Sequence, residues 1–205
     1  DSEPESNSLL VMKLLIERDP RNAALIKPYV NGEEINIYPS PRNERSIIDF
    51  GVRPLKEAEQ FPDLLELVEA KVRPYRPKYV TGPWWQFERP RTELYQSIQA
   101  DRRCAVVSQI SKHHGLEFYP STFVFSQNCI ILAFSDCGGF CVLQGRAHEL
   151  WARFLGSTFE DRPIYIATRC FETFPFPDRY ESDRGLEAAG REYYDFRAAL
   201  MVRNN

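Results

Sequence analysis

Cys129-Ile-Ile-Leu-Ala-Phe134 is an unbroken apolar run of strand length. After Ser135-Asp136-Cys137 and a Gly138-Gly139 break comes Phe140-Cys-Val-Leu-Gln-Gly-Arg-Ala-His-Glu-Leu-Trp-Ala-Arg-Phe154. The first stretch predicts a central strand buried on both faces. In the second, Phe140, Leu143, Ala147, Leu150, Trp151 and Phe154 recur at helical spacing, which predicts one helix with that stripe against the core. Gln144, Arg146, His148, Glu149 and Arg153 then face outward, and Gly156 ends the helix. A switch from strand period to helix period across a double glycine is the mark of a sheet with a helix packed on it.

The flanking sequence extends this pattern. Residues 104–110 alternate, with Cys104, Val106, Ser108 and Ile110 on one face, and 116–119 and 122–125 read as further strands. Short strand-like pieces lie around Thr158 and at 163–166. Upstream, 9–18 reads as a helix ended by Asp19-Pro20, and 24–30 as a strand leading to an Asn31-Gly32 turn. Pro39 and Pro41 keep 38–45 a loop, 46–50 reads as a short strand, and Pro54 opens a helical stretch. A further helix starts near Pro62, with Leu65, Val68 and Val72 on its apolar face, and another spans 91–100. Downstream, 185–203 reads as a long helix with Leu186, Ala189, Tyr193, Phe196 and Leu200 on one side. The expected class is α+β: a mixed sheet with packed helices, followed by a C-terminal helix. The expected segments are a linker and helix over 1–23, with 1–8 polar and disordered, a main domain over 24–177, and the start of a helical segment over 178–205.

The 205 residues suffice for one substantial core, and 43% hydrophobic with 27% charged residues is an ordinary globular composition. No apolar run approaches the roughly 20 residues that span a bilayer. The N-terminus lacks the basic and apolar regions of a signal peptide. It begins without Met, which suggests a piece of something longer. The cysteines at 104, 129, 137, 141 and 170 are an odd set, all but Cys137 among apolar or strand-like neighbours, and are expected as reduced thiols.

The net charge of −3 argues against a protein that coats nucleic acid along its whole surface. From Lys71 to Lys112, however, nine basic residues face only three acids, a local excess of about six. Such a strip fits a grip on one face of a duplex and equally fits a solvated surface. At its centre stands Trp84-Trp-Gln-Phe-Glu-Arg-Pro-Arg-Thr-Glu-Leu-Tyr95. Indoles beside guanidinium forks can engage bases and phosphates. Arg89 and Arg91, with Pro90 stiffening the chain between them, are the leading candidates for phosphate or groove contact. Either can instead pair with Glu88 or Glu93. Of Trp84 and Trp85, one is expected to be a core anchor. Arg42 and Arg45 in the Pro-rich loop, and Arg76 and Lys78 in the basic loop, are further candidates. Lys112 and His113 sit at a strand-to-strand turn that either presents them to a ligand or is an exposed tip without a role.

Other chemistry finds little support. Pro62-Asp63 with Glu69-Ala-Lys71 imitates a nuclease signature, but one helix turns its two carboxylates in different directions. Adjacent His113 and His114 lack a ligand partner at metal spacing, and Cys137 with Cys141 lacks a second pair. There is no phosphate-binding Gly-rich loop and no nucleophile elbow. The motifs by which amino-methyltransferases hold S-adenosylmethionine and the target base are absent too.

Several segments in one order resemble the target-recognition region of large bacterial N6-adenine DNA methyltransferases, the MmeI-like fused restriction–modification enzymes and related phage-defence methylases. They are Ile26-Lys-Pro-Tyr-Val-Asn-Gly-Glu-Glu-Ile35, Ser46-Ile-Ile-Asp-Phe50, Trp84 through Tyr95, Ser111-Lys-His113, Val142-Leu-Gln-Gly-Arg-Ala-His-Glu-Leu-Trp-Ala-Arg153 and Phe171-Glu-Thr-Phe-Pro-Phe-Pro177. The likeness covers about residues 24–203. It implies that 24–177 is a DNA target-recognition domain, with double-stranded DNA as partner and no catalytic residue, cofactor or metal of its own. S-adenosylmethionine is then expected in a methyltransferase domain of the same polypeptide, in the bacterial cytoplasm and with no membrane. Recurrent residues such as Arg89, Arg91, Lys112 and His113 suit generic gripping. Base readers, which vary with the target, are expected in loops such as 76–81 and 39–45. The alternative is a protein–protein adaptor docking through the aromatic-rich loop.

Overall fold

In the computed structural model, which describes residues 9–204 (Asn204 by its backbone alone), helix α1 (Leu9–Arg18) stops where Asp19 caps a 3-10 turn, Pro20–Ala24. The expectation for residues 1–8 lies outside the described residues. Strand β1 (Ile26–Val30) follows, then α2 (Glu34–Ile37), β2 (Arg45–Ile48), α3 (Leu55–Ala58) and α4 (Pro62–Lys71). Next come α5 (Thr92–Gln99), β3 (Arg103–Ser108), β4 (Leu116–Pro120), β5 (Val124–Phe125) and β6 (Cys129–Leu132). Helices α6 (Cys137–Gln144) and α7 (Arg146–Leu155), the β7 (Ser157–Phe159) and β8 (Arg162–Ile164) hairpin, α8 (Ala167–Cys170) and α9 (Arg184–Asn204) complete the described chain. The class is α+β, as expected.

The chain forms two compact units, each from two stretches of sequence. The first holds the described residues up to Tyr29 together with Asn43–Glu93; the second holds Val30–Arg42 and everything from Leu94 onward.

In the first unit β1 pairs antiparallel with β2, Ile26 opposite Ile48 and Tyr29 opposite Arg45. Leu25, Phe50, Ala58, Leu64 and Val68 form its core, with Trp84 and Trp85 packed on them. Pro54 precedes α3, and Pro62 opens α4, where a missing N–H costs nothing. The buried face of α4 is Leu64 with Val68, one residue from the expected stripe, and Val72 is exposed. Gly51 adopts a positive φ of 59° in the turn after β2, its N–H donating to Asp49 Oδ1 at 2.8 Å.

In the second unit β3 lies between β4 and β6, antiparallel to both. The centre of the sheet is therefore β3, buried on both faces, and not the apolar run of β6, which is an edge. Aromatic side chains close both sides of the sheet. Tyr119, Phe123 and Phe125 lie on one side, and Phe118, Phe140 and Tyr194 on the other.

Three helical expectations fail here. Gly145, extended at φ −67° and ψ 154°, breaks the expected single helix into α6 and α7. The break resets the phase, so a stripe counted through it points the wrong way. His148 is 0% exposed, whereas Leu150 is exposed and Phe154 is 85% exposed. On α9 the expected stripe of Tyr193, Phe196 and Leu200 is exposed, and Gly190, Tyr194 and Arg197 face the unit instead. The cause is on β4. Glu117 is 2% exposed by side chain, so its buried carboxylate selects Arg197, at 2.6 Å, and the Tyr194 hydroxyl as partners. Gly190 lets α9 lie on the start of α6, where a Cβ would stand only 2.0 Å from Cys137 O. All five cysteines are free thiols, and Cys137, expected to be the polar exception, is buried.

Candidate nucleic-acid interface

In the first unit the basic loop leaves α4 through a 3-10 turn, Arg73–Tyr75, forced by Pro74. Arg73 pairs with Glu69 one helical turn back and lies over the Trp84 ring, 5.5 Å from its centroid. Arg76 is turned inward. Its guanidinium donates to Gln86 O at 3.0 Å, Gly82 O at 3.3 Å and Trp84 O at 3.4 Å. Planar, five-donor geometry makes arginine the residue able to gather three carbonyls at once. Trp85 Nε1 and Gln86 Nε2 both donate to Arg53 O, at 3.0 and 2.8 Å. The two indoles meet edge to face, 5.6 Å apart. Both tryptophans, not one, are therefore core anchors, half-buried on the apolar cluster of this unit.

This scaffold displays cations it does not use. Lys78, Arg89 and Arg91 are exposed and make no hydrogen bond or ion pair among the described residues, so neither arginine takes Glu88 or Glu93. Arg91 has φ 51°, a left-handed conformation that costs a non-glycine residue about 1 kcal/mol or more. No acid occurs between Glu69 and Glu88, so this stretch presents an uninterrupted positive field to an anionic partner. Arg45, at the start of β2, lies over Tyr29 at 5.6 Å.

The second unit carries the remaining candidates. Arg42 lies over the Tyr38 ring at 4.6 Å. Lys112 pairs with Asp161 at 2.8 Å, both well exposed, and that contact holds the Asp161 carboxyl below its usual range. His113 is exposed on a turn tied down by Ser111, whose Oγ accepts from His113 N and from Asn36 Nδ2, each at 3.1 Å. His114 points the other way. Its Nε2 and Nδ1 of His148 lie 2.9 and 2.8 Å from Leu143 O. His148 Nε2 lies 3.2 Å from both the Cys170 carbonyl oxygen and the Tyr165 hydroxyl, and His148 Nδ1 lies 3.2 Å from His114 Nε2. Burial, with the neighbouring His114, pushes the His148 pKa down to about 4, and burial also lowers that of His114. Both lowered values favour the neutral imidazoles. His148 and Tyr165 were invisible to sequence reading because the helix break moved one and nothing marked the other.

A pocket beside that network, lined by Ser111, His113, His114, Arg153 and Tyr165 among others, has room of about 20 Å³. That is space for one water and not for a nucleobase. Among the described residues no group of three or more His, Cys, Asp or Glu is placed to hold a metal. Asp63 and Glu69 stand on the single helix α4, as the argument against a nuclease centre required. No described helix is long and apolar enough to cross a membrane.

Comparison with known proteins gives the arrangement its family. No curated protein sequence matches the chain. Among solved structures, the type IIL restriction-modification enzyme MmeI in complex with DNA superposes with a TM-score of 0.60 at 15% identity. The match covers 97% of this chain and 30% of MmeI, so the chain spans under a third of that enzyme, and the likeness is one of fold. The family model described as "MmeI, target recognition domain" matches residues 7–178. On that match the chain belongs to the MmeI target recognition domain family.

Proposed function

We propose that this chain selects a short sequence in double-stranded DNA on behalf of a bacterial N6-adenine DNA methyltransferase or restriction–modification enzyme. The observation that carries the reading is family membership over 7–178, joined to Lys78 on the acid-free stretch and Arg89 and Arg91 just beyond it, all three exposed and unpaired among the described residues. In this reading the methyl transfer, and the S-adenosylmethionine it consumes, belong to a separate domain of the same polypeptide in the cytoplasm. Unpaired guanidinium groups grip phosphates, and loop side chains enter a groove. The adaptor alternative relied on the rings of Trp84 and Trp85, and both are packed on the core.

The test is selection from randomised duplex DNA at low salt, sequencing what the purified chain retains. Enrichment of one short motif, with retention falling steeply as salt rises, is the expected result. No retention at any salt concentration overturns the reading for this chain.

A further inference from the structure

Residues 76–82 form a loop closed at its base by one side chain. Arg76 begins it and donates to Gly82 at its end and to Trp84 and Gln86 just beyond. The tip is itself a hydrogen-bonded turn, Val80 N donating to Pro77 O at 3.0 Å, and Pro77 fixes its own φ. The loop is thus ordered by contacts at its base and within its turn, while the side chains at its tip are left over. Those are Lys78, exposed and unpaired among the described residues, and Tyr79, which is 81% exposed. A singly exposed tyrosine needs no explanation. One held on a clamped turn, beside a free lysine, within an acid-free run, is a pre-organised aromatic probe in a positive field. Its two χ angles make it inexpensive to immobilise, and its ring and hydroxyl can both meet a base edge.

We infer that the 77–81 turn is the element by which the first unit reads sequence, with Tyr79 entering a groove of duplex DNA and contacting a base pair. Lys78 anchors the turn to the neighbouring phosphate, and Arg76 is a positioning residue that touches no DNA. This assignment rests on the DNA reading above and goes further than it. Arg89 and Arg91 supply affinity that depends on salt and little on sequence, whereas Tyr79 supplies discrimination that depends little on salt.

The experiment measures equilibrium binding of the whole chain to its selected duplex and to random duplex, across salt concentration. Tyr79→Ala is expected to bind the selected duplex about tenfold more weakly, with random-duplex affinity and the salt slope unchanged. Tyr79→Phe recovers most of the loss if the ring makes the contact. Arg76→Lys keeps the charge but cannot span three carbonyls, so it reproduces the loss of discrimination, again with the slope unchanged. Thermal unfolding of Tyr79→Ala stays at the wild-type value because the ring is exposed. If Tyr79→Ala selects the same motif with the same affinity, the inference is wrong although the DNA reading stands. If wild type and variants alike retain no DNA, the DNA reading fails first. Preference for single strands over duplex overturns the groove assignment.

Discussion

Replacing Arg91 by glycine separates the stability of the chain from its grip on DNA. Arg91 sits at φ 51° just before α5, exposed and with no partner among the described residues. Glycine adopts that conformation freely, so Arg91→Gly removes roughly 1 kcal/mol or more of backbone strain. Against this, the freer unfolded chain costs about 0.5–1 kcal/mol. The net change is expected between about zero and 1 kcal/mol of added stability. For a chain of this size, 1 kcal/mol corresponds to a rise of about 2–4 °C in Tm. Binding moves the other way. A lost phosphate contact lowers the slope of log affinity against log salt by about 0.9, so between 50 and 200 mM salt the variant loses about 3.5-fold less affinity than wild type. Scanning calorimetry and fluorescence anisotropy on a labelled duplex read the two effects. A fall in Tm of several degrees would show that Arg91 holds the fold. An unchanged slope would refute its role at a phosphate.

Further expectations concern the second unit. The depressed pKa of His148, near 4 against the ordinary 6.5, means that the unfolded chain takes up a proton before the folded one does. Stability is therefore full above pH 6.5 and falls as the pH drops toward 4, by up to about 3 kcal/mol. His114 adds in the same direction, while Glu117, its pKa raised by burial, opposes. Urea unfolding at pH 7 and pH 5 should show the loss, and His148→Gln should flatten it; equal slopes in the two proteins refute the account. Arg197→Met strands the buried Glu117 carboxylate and is expected to cost about 3 kcal/mol, part of which Glu117→Gln returns when added. Equal stability of the single and double variants would deny that pair its importance. Helix propensity alone predicts that Gly190→Ala gains about 1 kcal/mol. The 2.0 Å approach of a Cβ to Cys137 O predicts a loss of about 2 kcal/mol instead, and a higher denaturation midpoint would show that α9 does not lie against α6 this closely.

Local chemistry made much of this fold legible. Asp19-Pro20, Asn31-Gly32, Pro54 and Pro62 act within a few residues of themselves, and each marked a real boundary. Periodicity worked while the backbone stayed regular. It failed at Gly145, where one extended residue rotated His148 inward and Phe154 outward. On α9 the count was sound and the inference from it was not. The apolar side is the exposed one because a buried carboxylate, nearly 80 residues upstream in sequence, wanted the polar side. No local pattern encodes that demand. The basic strip was legible as charge, but its division was not. Arg73, Arg76, Arg103 and Lys112 are engaged by a carboxylate, carbonyls or a ring, and Arg89, Arg91 and Lys78 have no partner among the described residues. Only three-dimensional neighbours sort one group from the other.

The Arg76 clamp closes on carbonyl oxygens, which every residue possesses. It therefore tolerates changes of side chain within the span it encloses, provided the loop keeps its length. Substitutions across 77–81 can alter what the tip presents while leaving its mounting intact. A loop built in this way separates inheritance of the fold from inheritance of the specificity. Exchanging the tip residues 77–81 at constant length is therefore expected to change what the chain selects and to leave its stability unchanged.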